Sequence, residues 1–356
     1  MWYRAALFSY TGNHGEARDL HCAVATRASI HLGPRHDLTI RNLAALASVL
    51  QLRGEHQEAA EIYNDIITLR LRHLPQDHHM ILYIQAALAH VLRNLGEFKK
   101  AERIHKQVGS AWLNKPAPEQ PWTVKNIDDL GYTMYELGSY SEAEELLRHA
   151  LASKERLFGE DNPASLLTFS RLSLTLVYRG QPQESLRAAE RALKIQERTD
   201  SGEHQTTLGA LKSHGIALNA LGKHVEAEHV LRRCMLERGL ALGHDNHLAL
   251  GARHDVALVL RDAGKSREAK DMFYATWKAR QKVLARDHPH IMLSAVEYAF
   301  LLDRSTHREE ARTILQDAQM ALKTALDERH PIHARISRVL ADIDTLERER
   351  DELSKM

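Results

Sequence analysis

The chain has 356 residues, 44% hydrophobic and 27% charged, a mixture that excludes wholesale disorder and permits a sizeable core. Lys plus Arg (48) nearly balances Asp plus Glu (47), so the formal charge of +1 gives no electrostatic reason to expect nucleic acid or a membrane surface as a partner. Two distant cysteines, Cys22 and Cys234, offer neither a disulfide framework nor metal-ligand spacing, which favours a reducing compartment.

Met1 to Phe8 lack the charged leader and apolar run of a signal peptide, and no apolar run reaches the roughly 18 residues a membrane helix needs. A soluble, cytoplasmic or nuclear protein is the expectation. Along the chain one spacing dominates: Gly12, Gly54, Gly96, Gly138, Gly180, Gly222 and Gly264 each lie 42 residues after the last. Five positions after each stands a small residue, Ala17, Ala59, Ala101, Ala143, Ser185, Ala227 and Ala269, continued by Ala311. Seven positions before stands another, Ala5, Ala47, Ala89, Gly131, Ser173, Gly215 and Ala257, and the ladder continues at the same interval through Ala299 and Ala341. His36-Asp37, His78-His79, Gln120-Pro121, Asn162-Pro163, His204-Gln205, Asn246-His247, His288-Pro289 and His330-Pro331 mark the junctions at the same interval.

These ladders divide the chain into units of approximately 1–35, 36–77, 78–119, 120–161, 162–203, 204–245, 246–287 and 288–329, with a capping helix over 330–356. Each unit reads as two helices. In the second, apolar residues at helical spacing run from Thr39 to Arg53, Gly54 supplies the left-handed backbone that ends this helix, and Glu55 to His73 forms its partner. Strand and hairpin signals are missing. The small positions mark where two helices approach closely, and leucines such as Leu46, Leu88, Leu130 and Leu172 fill around them. Three prolines within Lys115 to Pro121 should shorten the preceding helix and stiffen the connector. At the C-terminus, Ile336, Leu340 and Ile343 can cover the last hairpin while Glu347 to Lys355 faces water. Ala5 occupies the slot of Ala47, so the first helix starts several residues short of its equivalents.

The order Ala47, Gly54, Ala59, Tyr63 in a 42-residue unit with His-Pro type junctions resembles the tetratricopeptide repeat in its long, kinesin-light-chain-like form, which also occurs in the sensor arrays of NB-ARC type proteins. The resemblance implies an all-α, right-handed superhelical solenoid of antiparallel helix pairs whose first helices line a concave, partner-binding groove. The aromatic slot is kept by Tyr63 and Phe273 but holds His105, Leu147, Ala189, Leu231 and Leu315 elsewhere. Kinesin light chains clamp cargo with an Asn, and the matching positions here are Ala45, Ala87, Asp129, Arg171, Ser213, Asp255 and Glu297.

On the helical wheel, residues equivalent to 41, 44, 48 and 51 face away from the core set. The candidate partner-binding residues on or beside that face are Arg93, Asp128, Tyr132, Tyr135, Arg171, Leu174, Lys212, Ile216, Asn219, Leu258, Arg261 and Phe300. Leu174, Ile216, Leu258 and Phe300 form one apolar series, and such residues are more often core than site. The other reading gives apolar anchors with a charged rim from Lys212 and Arg261, suited to a peptide lying along units four to seven.

Histidines at the junction register suit helix capping, and no metal-binding spacing occurs. Gly264-Lys265-Ser266 lacks the earlier glycine of a phosphate loop, because position 259 is valine. The expected function is a non-catalytic scaffold or adaptor, without cofactor or metal, that binds another protein or peptide segment in its groove. Two rivals stay open. One is a sensor array detached from a larger NB-ARC type protein. The other is an enzyme or small-molecule binder using the groove as a pocket, to which Asp128, Tyr132, Tyr135 and Arg171 come nearest.

Overall fold

The computed structural model describes residues 14–113, 120–199, 204–302 and 306–355. The expectations resting on Ala5, Gly12 and residues 115–119, and on the side chains from Glu347 to Lys355, lie outside the described residues. Within them the chain forms sixteen α-helices and no strand.

The helices are α1 His14–Leu32, α2 Asp37–Arg53, α3 His56–Leu71, α4 His79–Asn94, α5 Phe98–Leu113, α6 Pro121–Leu137, α7 Tyr140–Phe158, α8 Leu166–Tyr178, α9 Pro182–Thr199 and α10 His204–Ala220. They continue as α11 His224–Leu242, α12 His247–Asp262, α13 Ser266–Val283, α14 Pro289–Phe300, α15 Arg308–Ala325 and α16 Pro331–Lys355. Each packs on its sequence neighbours from α1 to α5 and from α7 to α16, the all-α solenoid that the 42-residue ladders predict.

The junction residues start the helices. Imidazoles cap α2, α4, α14 and α16, where Nδ1 of His36, His78, His288 and His330 accepts the N–H two residues on at 3.1 to 3.3 Å. Asn162 and Asn246 do the same with Oδ1 at 2.9 Å. At the other end of α2 Gly54 adopts φ 84°, and Gly96, Gly138, Gly180, Gly222 and Gly264 follow it in their repeats, so the chain reverses through a left-handed residue while Glu55 N–H donates to Leu50 O at 2.9 Å.

The small slots set how closely paired helices approach. A Cβ on Gly215 would lie 2.5 Å from Leu231 Cγ, and one on Gly131 2.9 Å from Leu147 Cγ. At the intervening repeat Ala189 replaces the leucine, and Ser173 and Ser185 bond side chain to side chain at 2.9 Å in the space. Leu231 is fully buried and has nowhere to swing, so Gly215→Ala should destabilise by about 1–2 kcal/mol despite alanine's better helix propensity. Leu231→Ala in that background should relieve the clash. A urea double-mutant cycle showing simple additivity would contradict this packing.

The chain divides into two compact units, residues 1–130 and 131–356. The first has a core of Leu50, Tyr63, Ile66 and Leu88. The second has successive layers around Leu147, Leu172 and Ile195, then around Leu231, Val256 and Phe273, and Ile336 and Ile343 of α16 are fully buried. Cys22 is exposed, while Cys234 is buried with its Sγ 3.3 Å from Leu208 O.

Candidate functional site: the inner face of the second unit

In a simple solenoid each repeat touches only its neighbours. The second unit departs from this, because its late repeats reach its first helices. Asp327 N–H donates to Leu137 O at 3.1 Å, and His290 Nε2 lies 3.3 Å from Glu136 Oε2. His330, whose Nδ1 is engaged as the cap of α16, turns Nε2–H toward Tyr140 Oη at 3.4 Å. Gly138 makes room: its φ is 90°, and a Cβ there would lie 2.4 Å from the His330 ring. The first-helix faces of this unit therefore look inward at one another.

A string of aromatic rings starts at this contact. Tyr140 stacks on Tyr178 at 4.7 Å, Tyr178 meets Tyr135 edge-on at 5.7 Å, and Tyr135 stacks on Tyr132 at 5.5 Å. The Arg171 guanidinium covers the Tyr132 ring at 4.9 Å. Tyr178 remains 51% exposed, so the string is open to a ligand on one side. Of the sequence candidates, Tyr132, Tyr135 and Arg171 are thus brought together. Tyr140, Tyr178 and His330 were not among them.

The inward charges are paired. Lys212 reaches the buried Asp255 at 3.1 Å, and Glu297, also buried, is held by Arg261 and by Arg335 at 2.7 Å. The charged rim expected from Lys212 and Arg261 is engaged within the chain, by acids 43 and 36 residues further on. Asp255 and Glu297 stand at two of the positions matching the clamp asparagine. Arg335 also lies over Phe300 at 4.6 Å. Asn219 is engaged by Asp262 at 2.7 Å and by His224 at 2.8 Å.

The apolar series divides. Leu174 is buried, the core alternative, whereas Ile216 and Leu258 are half-buried against the Leu231 layer and Phe300 is half-buried beneath Arg335. Buried Arg280 donates to His290 O at 2.8 Å and to Ser294 Oγ at 2.6 Å, and burial pulls its guanidinium down to about 10 against the opposing Asp255 and Glu136. Burial also lowers His330 to about 4 and keeps its ring neutral at the contact with Tyr140.

Arg93 and Asp128 belong to the first unit. Both are buried there, Arg93 with Nη2 3.3 Å from His90 Nε2. Among the described residues no group of three His, Cys, Asp or Glu side chains could hold a metal ion, and no helix is long and apolar enough to cross a membrane.

Among solved structures, the fold resembles that of Rap protein complexed with competence and sporulation factor, at 13% identity and TM-score 0.62, covering 98% of this chain and 97% of that one. NprR in complex with its cognate peptide NprX aligns at 11% identity and TM-score 0.58, over 89% and 86% of the two chains. A putative kinesin light chain repeat protein from Podospora anserina aligns at 22% identity and TM-score 0.43, over 59% of this chain and 98% of that one. No match is found among curated proteins. One tetratricopeptide repeat family model matches residues 1–72, 80–156 and 126–198, and a second matches residues 250–290. With the periodic ladders, the helix pairs and these matches over more than half of its length, the chain belongs to the tetratricopeptide repeat family.

Proposed function

We propose that the protein is a non-catalytic scaffold that holds a peptide, or an extended segment of another protein, against the inner face of its second unit. The observation that carries this reading is the open tyrosine string beside Arg171. Stacked tyrosines give a large, rigid contact area at low entropic cost, and they hold a peptide by apolar and edge-on contacts while their hydroxyls bond its backbone. The ion pairs of Lys212 and Arg261 hold the face in shape, and the half-buried Ile216, Leu258 and Phe300 extend it toward units six to eight. The Rap and NprR structures, of similar fold and bound to competence and sporulation factor and to a cognate peptide, support the reading.

Peptides selected from a random display library on the full chain provide the test. Tyr178→Ala removes a half-open ring without emptying a core site, so it should weaken a selected peptide at least tenfold while leaving helicity unchanged and lowering the melting temperature by only about a few degrees. Peptides that bind wild type and Tyr178→Ala equally would place their site elsewhere.

A further inference from the structure

The first unit contains a cavity of about 390 Å³ that the peptide-binding reading leaves unused. It opens where α2, α3 and α4 meet the end of α5 and the start of α6, and its wall is nearly all hydrocarbon, including Ile40, Ile66, Ile84 and Trp112. The charged side chains on it are two arginines, Arg41 and Arg70. Arg41 is exposed and makes no ion pair or hydrogen bond among the described residues, the Asp37 carboxylate four residues earlier acting on it through space only. Arg70 donates Nη2–H to Asp37 Oδ1 at 2.5 Å, yet its Nε–H is buried without an acceptor. Among the described residues no carboxylate lines the cavity.

An apolar chamber with an unpaired guanidinium and an orphaned N–H fits a ligand with a hydrocarbon body and one anionic oxygen group. At ~30 Å³ per water-sized group, the volume holds about thirteen such groups, the size of a ten-carbon acid. We propose that this cavity binds a medium-chain or arylalkyl carboxylate, its chain among the isoleucines and Trp112 and its carboxylate held by Arg41 and the Arg70 Nε–H. This site lies in the first unit and is independent of the tyrosine string, so either proposal can fail alone.

The test titrates the full chain with decanoate, decanol and decylamine, followed by calorimetry and by tryptophan fluorescence, since Trp112 and Trp122 line the cavity 5.8 Å apart. Decanoate should bind saturably, about tenfold more tightly than decanol, and decylamine most weakly. Arg41→Gln, at an exposed position, should weaken decanoate several-fold toward the affinity of decanol without changing the melting temperature. Ala44→Trp, which fills the chamber, should abolish binding of all three. The proposal is overturned if decanoate does not saturate, if decylamine matches it, or if Arg41→Gln leaves its affinity unchanged. It is equally overturned if the cavity takes only peptides ending in an apolar residue and a free C-terminus.

Discussion

Lowering the pH from 7 to 4.5 should destabilise the first unit by several kcal/mol, and two buried imidazoles, His105 and His56, should each carry a share of that loss beside His90, which burial lowers to about 3. His105 is fully buried, donates Nδ1–H to Asn126 Oδ1 at 2.7 Å, and leaves Nε2 without a hydrogen-bond partner. Burial lowers it to about 4, a shift that the neighbouring Asp129 opposes. His56 is also lowered to about 4, first by burial and then by Arg93. In the unfolded chain both groups take up protons near pH 6.5. Between that value and 4 the unfolded state therefore binds more protons than the folded state, so the stability present above pH 6.5 is lost as the pH falls. Each imidazole contributes a loss on the order of 2–3 kcal/mol by pH 4.5.

The chain itself suggests the control. One repeat further on, Leu147 and Thr168 occupy the places of His105 and Asn126. His105→Leu with Asn126→Thr should fold at pH 7 and flatten the decline in the urea midpoint by roughly the share of one imidazole. An unaltered pH dependence in that variant would show that His105 does not carry the effect.

Glu297→Ala should be the most damaging single change on the inner face. Its carboxylate is 7% exposed and receives both Arg261 and Arg335. Removal leaves Arg261, itself only 24% exposed, with Asp262 as its remaining acid partner at 2.8 Å. Losing one partner of a buried ion pair costs about 3–5 kcal/mol, and the partial exposure of Arg335 brings the expectation here to about 2–4 kcal/mol. Removing both sides, with Glu297→Leu and Arg261→Met, should recover much of the loss, because the desolvated charges leave together. The comparison is made in urea at two salt concentrations. A pair of this burial should be little affected by salt, and a Glu297→Ala variant within about 0.5 kcal/mol of wild type would show that the network is solvated.

The helix pairs were legible in the sequence because their contacts are local. Gly54 and its equivalents end helices, Ala47 and Ala59 mark close approach, and His36 or Asn162 stands where a cap is needed. Each of these roles is decided by residues within one or two units. Parts of the site depend on longer spacing. Tyr140 and His330 are 190 positions apart, and nothing in a 42-residue pattern states that the late repeats return to the first helices. The pairing of Lys212 with Asp255 and of Arg261 with Glu297 left a fainter trace. Opposite charges recur about one unit apart, and the acids occupy two of the positions that match the clamp asparagine of kinesin light chains. Leu174 shows the limit of the helical wheel, since a position on the outward face is buried once the next repeat packs over it.

A peptide held on the inner face of the second unit should leave its mark on the tyrosine string. Photo-cross-linking tests it most directly: a display-selected peptide carrying a benzophenone is irradiated with the full chain, and the attachment sites are mapped by mass spectrometry. Cross-links on Tyr132, Tyr135, Tyr140 or Tyr178, lost when the unlabelled peptide competes, are the predicted result. Competed cross-links confined to the first unit, or to the outward faces of the second helices, would contradict it.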